Sequence, residues 1–241
     1  MRIIPAIDLK DGKCVRLLQG REDAVTVYSE DPVLTARRWE SCGASLLHVV
    51  DLDGAFTGSR KNLQAVKRIC ESVAMGIELG GGIRDMDTID ELVGTGIQRV
   101  ILGTVAIKEP VLLEEACKKY PGKIIVGIDA RDGKVAVKGW VETTATDATS
   151  LAKEAEKNRA AGIIYTDIST DGMMTGPNVR AVKEMVRTVT IPVIASGGVS
   201  SLEDIKKLLG IDGLWGVITG KAIYSGSLEL REAIQLARSN G

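Results

Sequence analysis

Aromatic residues are scarce: one Phe, three Trp and four Tyr in 241 positions. So few stacking platforms argue against a single-stranded nucleic-acid binder. An excess of one charge is missing too. Thirty-one Lys and Arg stand against 32 Asp and Glu, a formal net charge of −1. No global field therefore draws the chain to nucleic acid or an anionic membrane. There is a single histidine, His48, and the four cysteines, Cys14, Cys42, Cys70 and Cys117, never form C-x-x-C. This excludes a zinc site and leaves the thiols as core or helix fillers in a reducing compartment. No run is long enough to span a bilayer. The best, Thr188–Leu202, contains Pro192, Gly197 and Gly198 and is too short. Met1–Asp8 reaches a carboxylate too early for a secretory signal. A soluble cytoplasmic protein is expected.

Glycine is in surplus. The chain has 27 but only six prolines, where average usage gives roughly 17 glycines. Some backbone geometry is demanded repeatedly. Apolar runs of strand length recur at Ile3–Ile7, Leu46–Val50, Gly76–Leu79, Arg99–Leu102, Ile124–Ile128, Ile163–Thr166, Pro192–Ala195 and Leu214–Ile218. They are continuous rather than alternating, as expected of parallel strands buried on both faces. Helix signals lie between them: Asp31-Pro32, Asp85, Glu109-Pro110, Asp147, Asn178 and Ser201 as starts, with Gly43, Gly94, Gly96, Gly162 and Gly210 as stops. Eight β–α alternations in this length predict an α/β fold, one (β/α)8 TIM barrel domain over residues 1–241.

The two halves repeat each other. Asp8–Lys13 matches Asp129–Lys134, Asp53–Gly58 matches Asp171–Gly176, Gly81-Gly82 matches Gly197-Gly198, and Val100–Gly103 matches Val217–Gly220. Four matches in order at nearly constant offset imply two similar (β/α)4 halves. Each matched motif follows a strand, so all share the face where barrel active sites lie.

Two glycine-rich turns, Leu79–Arg84 and Ala195–Val199, each precede a helix, and Gly103-Thr104 and Gly220-Lys221 follow the next strands. Glycine lets backbone N–H groups approach an anion at a helix N-terminus. Two opposed pairs of such loops predict a ligand with a phosphate at each end. Asp8 and Asp129, at the ends of the first and fifth strands, would face each other across the mouth. An aspartate there is expensive to bury without a role, and a carboxylate pair suits proton transfer if the environments push their pKa values apart. His48 lies in an apolar strand, as a satisfied core residue or a ligand contact. Arg16 and Arg84 could pair with phosphate or be solvated. Trp140 lies in the long segment Ala130–Thr146, a candidate lid, and is either a stacking residue or a hairpin anchor.

These residues resemble one family. Ile4–Leu9, Val15–Gly20, His48–Gly54, Gly80–Arg84, Gly127–Gly133, Val137–Trp140 and Tyr165–Gly172 are similar to the histidine-biosynthesis isomerase acting on phosphoribosylformimino-aminoimidazole-carboxamide ribotide. The resemblance implies a cofactor-free Amadori rearrangement of a bisphosphorylated ribotide, aminoaldose to aminoketose, by a cytoplasmic monomer. It makes Asp8 the base at the sugar C2 and Asp129 the acid at the ring oxygen. Asp171 is a rival or helper for the acid, and Thr166 holds the reacting ribose. Arg16, His48 and Trp140 would be substrate contacts. Gly81, Gly82, Gly103 and Thr104 would hold one phosphate; Gly197, Gly198 and Gly220 the other, with Arg84 and Gly176 lining the site. Met173-Met174 and Lys221 depart from the family pattern. Related readings are the cyclase of imidazole glycerol phosphate synthesis, an enzyme that also takes phosphoribosyl anthranilate, and a catalytically silent phosphate-binding subunit.

Overall fold

In the computed structural model, residues 1–17, 24–137 and 139–239 are described. Leu18, Gln19 and Gly20 of one family-like motif, and Lys138 of another, lie outside the described residues. Eight parallel strands close a barrel. They are β1 (Arg2–Lys10), β2 (Leu46–Asp51), β3 (Gly76–Gly80), β4 (Arg99–Leu102), β5 (Ile124–Arg131), β6 (Gly162–Asp167), β7 (Val193–Ser196) and β8 (Leu214–Thr219). Each pairs with the next in sequence, and Ile3↔Val217 of β1 and β8 shuts the ring. The expected (β/α)8 barrel is the fold.

Why the strands read as continuous apolar runs is visible in their packing. Ile4, Ala6, Leu46, Ile101, Ile125, Ile164, Ile194 and Ile218 fill the barrel interior. Their sequence neighbours Ile3, Ile7, Leu47, Val100, Leu102, Ile124, Val126, Ile163, Val193 and Val217 face the surrounding helices. Both faces of each strand are buried, so alternation disappears.

Four of the six helix starts are held by the residues that announced them; Glu109 and Asp147 precede their helices without a side-chain cap bond. Asp31 accepts from the Val33 and Leu34 N–H groups ahead of Pro32–Ser41, Asp85 from Thr88 ahead of Met86–Gly94, Asn178 from Ala181 ahead of Val179–Thr188, and Ser201 from Asp204 ahead of Leu202–Leu209. Each such cap contributes about 1 kcal/mol. The stop after Met86–Gly94 falls on Gly96, at φ +91°, while Gly94 stays helical. Among the described residues, no helix is long and apolar enough to cross a membrane.

Two hairpins were not anticipated as strands. Lys13–Leu17 runs antiparallel to β1 and pairs with Val25–Ser29; Lys134–Val137 runs antiparallel to β5 and pairs with Glu142–Asp147. Both begin at an Asp-Gly turn: Asp11 and Gly12 at φ 49° and 76°, Asp132 and Gly133 at 51° and 77°. Positive φ at both central residues is what a tight hairpin turn asks of Asp-Gly. The near-identical angles carry the sequence repeat into the backbone.

Candidate active site

The C-terminal ends of the barrel strands bring the expected carboxylates to one mouth. With strands in cyclic order, β1 and β5 are diametrically opposed, so Asp8 and Asp129 belong to facing walls. Asp8 accepts a hydrogen bond from Arg16 Nη1 at 2.8 Å. Arg16 comes from the first hairpin strand; burial opposes its charge, but Asp8, Tyr224 and Asp171 together outweigh burial and drive its pKa up. Its guanidinium also lies against Gly220 in the loop after β8, where any Cβ would collide with it. One arginine thus links the base candidate to a phosphate-loop glycine.

Asp129 sits beside Thr166 in register on β5 and β6. Burial pushes its carboxyl up, and bonds from Trp140 and Thr166, with the His48 ring nearby, resist without cancelling it. Trp140 Nε1 donates to Asp129 Oδ2 at 2.9 Å. Trp140 occupies the turn of the second hairpin at φ 73°. A left-handed conformation for so bulky a residue costs on the order of 1–3 kcal/mol, so the indole is held on Asp129 at the expense of local strain. The segment Ala130–Thr146 is therefore a hairpin whose tip residue reaches into the mouth.

Asp171, in the loop after β6, is pushed up to about 6. Burial is the largest cause; Asp8 and Asp129 add to it, while Arg16 and His48 pull the other way. Five groups, Asp8, Arg16, His48, Asp129 and Asp171, therefore feel one another electrostatically in one cavity mouth. Lys221 donates from Nζ to the Gly172 carbonyl at 2.8 Å. It ties the loop after β8 to the loop that carries Asp171.

The glycine pairs are demanded by close backbone approach. A Cβ on Gly81 would run into the Asp51 carbonyl and one on Gly82 into the Gly54 carbonyl; Gly197 meets the Asp167 carbonyl at 2.8 Å and Gly198 the Gly176 carbonyl. All four have φ between 72° and 108°. Gly176 N–H returns a bond to the Gly198 carbonyl at 3.0 Å. Gly103 and Gly220 precede the short helices Thr104–Lys108 and Lys221–Ser225. Arg84 reaches sideways, its Nη2 donating to the Ala55 carbonyl at 3.4 Å, with its guanidinium beside Gly58. It joins the loops after β2 and β3 and makes no bond to the three aspartates.

Sequence reading passed over several buried polar groups. Asn62 is fully buried and donates from Nδ2 to Asp51 Oδ1 at 2.6 Å and Asp53 Oδ2 at 2.8 Å, while Gly12 N–H donates to its Oδ1 at 2.8 Å. Asn178 repeats the first contact in the second half, donating to Asp167 Oδ2 at 2.6 Å. The equal spacing Asp51–Asn62 and Asp167–Asn178 was the signal available. Glu78, inside an otherwise apolar strand, is fully buried and accepts from or faces His48 Nδ1 at 3.0 Å.

The comparisons bear on this constellation. The pattern of a family described as histidine biosynthesis protein matches residues 2–229. The chain belongs to this family. Curated relatives of this histidine biosynthesis protein carry the name 1-(5-phosphoribosyl)-5-((5-phosphoribosylamino)methylideneamino) imidazole-4-carboxamide isomerase. One, from Thermodesulfovibrio yellowstonii, is 58% identical over 241 residues, covering 100% of this chain and 99% of its own length. Another, from Geotalea daltonii, is 56% identical over 240 residues, covering 99% and 98%. A third, from Geobacter sulfurreducens, is 54% identical over 243 aligned positions and covers both chains fully. The histidine biosynthesis family is the one that the motifs around Asp8, His48 and Gly81 already resembled.

Proposed function

We propose that the chain is the aldose–ketose isomerase its relatives are named for, acting on the bisphosphorylated ribotide of histidine biosynthesis. The observation that carries this reading is the placement of Asp8 and Asp129 on facing walls between two duplicated glycine cradles. The two cradles, Gly81, Gly82, Gly103 and Thr104 on one side and Gly197, Gly198 and Gly220 on the other, would each take one phosphate through backbone N–H groups. Held at both ends, the ribose lies across the mouth, where Thr166 can hydrogen-bond it and Arg16, His48 and Trp140 can line it.

The chemistry then needs one group that gives a proton and one that takes it. Burial raises both Asp129 and Asp171, so the acid is drawn from these two. It protonates the ring oxygen, the C1–O bond breaks, and the electron pair on the aminoaldose nitrogen forms the iminium. Asp8 takes the C2 proton, and the enolamine that results tautomerises to the aminoketose. No electron leaves or enters, so no cofactor is called for. The enzyme works as a single-domain cytoplasmic monomer.

The test is a cofactor-free assay with the ribotide, run beside Asp8→Asn. Turnover by the native chain and its loss in the variant are expected. Normal turnover by Asp8→Asn would remove the base assignment, and no turnover by the native chain would remove the function.

A further inference from the structure

We propose that Glu78 is a positioning residue: it holds His48 as the Nδ1–H tautomer, so that the ring meets substrate with Nε2 as a hydrogen-bond acceptor. Ala6, His48, Glu78 and Arg99 are register partners on β1 through β4 and form one rung of the barrel. Ala6 and the neighbours Leu46 and Ile101 fill the apolar interior, yet the other three members of this rung are polar. A glutamate with no exposed surface is costly in such a place unless it is paired and hydrogen-bonded.

Both carboxylate oxygens of Glu78 have a neighbour. Oε1 stands 3.0 Å from His48 Nδ1; Oε2 makes no hydrogen bond and is matched only by the Arg99 charge, with Nη1 3.7 Å away. Arg99 is braced in turn, its guanidinium 4.5 Å from the Trp215 ring that Arg2 also covers at 4.0 Å. The cation beneath Glu78 is therefore fixed at the floor of the barrel. A carboxylate beside a guanidinium has only acceptors to offer, so the hydrogen in the 3.0 Å contact belongs to Nδ1. A neutral ring with its proton there has a lone pair on Nε2. The ring keeps 12% of its side-chain surface exposed while Glu78 keeps none, and it lies within electrostatic reach of Asp129 and Asp171, so it stands on the mouth side of Glu78. An acceptor at that point favours a ligand that brings an N–H or O–H group. The first half of this inference concerns the ring alone; the second, substrate contact, rests on the isomerase reading.

His48 is the chain's single histidine, so 15N-labelled protein shows one imidazole and its tautomer is read directly by long-range 1H–15N correlation. The native protein is expected to show Nδ1–H with an unprotonated Nε2. Glu78→Gln, whose amide oxygen can still accept, should keep that tautomer, whereas Glu78→Met should populate Nε2–H. In steady state, Glu78→Met should raise KM for the ribotide about tenfold, the worth of one hydrogen bond, with kcat within about threefold; Glu78→Gln should restore KM. An Nε2–H tautomer or an imidazolium in the native protein at pH 7.5 would overturn the proposal, and that spectrum decides even if Glu78→Met does not fold. A tautomer that moves while KM stays fixed would overturn the substrate half. Absence of ribotide turnover by the native chain, with the tautomer as expected, would overturn the isomerase reading and leave the role of Glu78 toward the ring intact.

Discussion

Replacing Asp171 with asparagine should make the protein more stable and less active, and pH should show why. Burial, with Asp8 and Asp129 nearby, pushes this carboxyl from an ordinary 3.8 up to about 6. In the unfolded chain it returns to its ordinary value. Between those two values the folded protein keeps a proton that the unfolded chain has released. Stability therefore falls as pH climbs through the window and stays lower above about 6. The full gap corresponds to about 3 kcal/mol. Solvent reaches part of the side chain in the open mouth, which trims the cost to roughly 1–2 kcal/mol.

Asparagine has no charge to desolvate. Asp171→Asn should therefore gain roughly 1–2 kcal/mol at pH 8, or about 3–6 °C in Tm for a chain of this length. At pH 4.5 the folded carboxyl is already protonated and the unfolded one mostly is not, so linkage leaves about a third of the gain. Urea denaturation at the two pH values, compared at equal slope, measures both. Turnover at pH 7.5 should fall roughly 100-fold or more if Asp171 supplies or relays the proton. A variant no more stable than the native protein at pH 8, or one whose gain is the same at pH 4.5, would refute the reasoning.

Other substitutions probe the remaining parts of the site. Asp8→Asn should lower kcat about 1000-fold and leave KM within about threefold, measured under saturating ribotide. Trp140→Phe removes the 2.9 Å bond that favours ionised Asp129, so Asp129 should move further up and the matching limb of the kcat/KM profile should shift to higher pH; an unshifted profile speaks against the contact. Asn62→Ala deletes three short hydrogen bonds, two of them buried, and should cost about 2–4 kcal/mol in urea, more than Asn178→Ala. Gly198→Ala meets the Gly176 carbonyl at a left-handed φ of 83°; it should cost about 1–3 kcal/mol and raise the inhibition constant of inorganic phosphate.

The barrel was legible because its signal is redundant. Eight apolar runs, each buried on both faces, survive any one ambiguous element. Short pieces were harder. Leu52–Thr57, Thr104–Lys108 and Lys221–Ser225 are five or six residues long, too brief for a helical period to show. Leu63–Ser72 has no side-chain cap bond and no glycine stop, so nothing marks its ends. The hairpins were announced by Asp11-Gly12 and Asp132-Gly133, but the strands that follow these turns, such as Glu142–Asp147, lack the apolar alternation that marks a strand. Within the site, placement followed from strand ends, whereas protonation did not. Whether a carboxylate is raised depends on which donors face it, and the partners of Asp129 and Asp171 come from different strands and loops.

That dependence explains how a duplicated fold can hold an undivided pair of carboxylates and still divide acid from base. Asp53 and Asp171 occupy matching Asp-Gly positions in the two halves. Around Asp53, burial works upward, but the Asp11 N–H at 2.7 Å, Asn62 at 2.8 Å and the Lys10 charge overcome it and hold the carboxyl low. Around Asp171, burial is reinforced by Asp8 and Asp129 and wins. Asn178 is the counterpart of Asn62, but its amide goes to Asp167. One half spends its asparagine on both carboxylates and so fixes the first hairpin; the other leaves a carboxyl near neutrality at the mouth. The backbone keeps its twofold likeness while the protons do not: buried donors hold Asp53 low, whereas Asp171 stays raised beside Asp8 and Asp129, and a raised carboxyl of that kind is what the proposed acid role calls for.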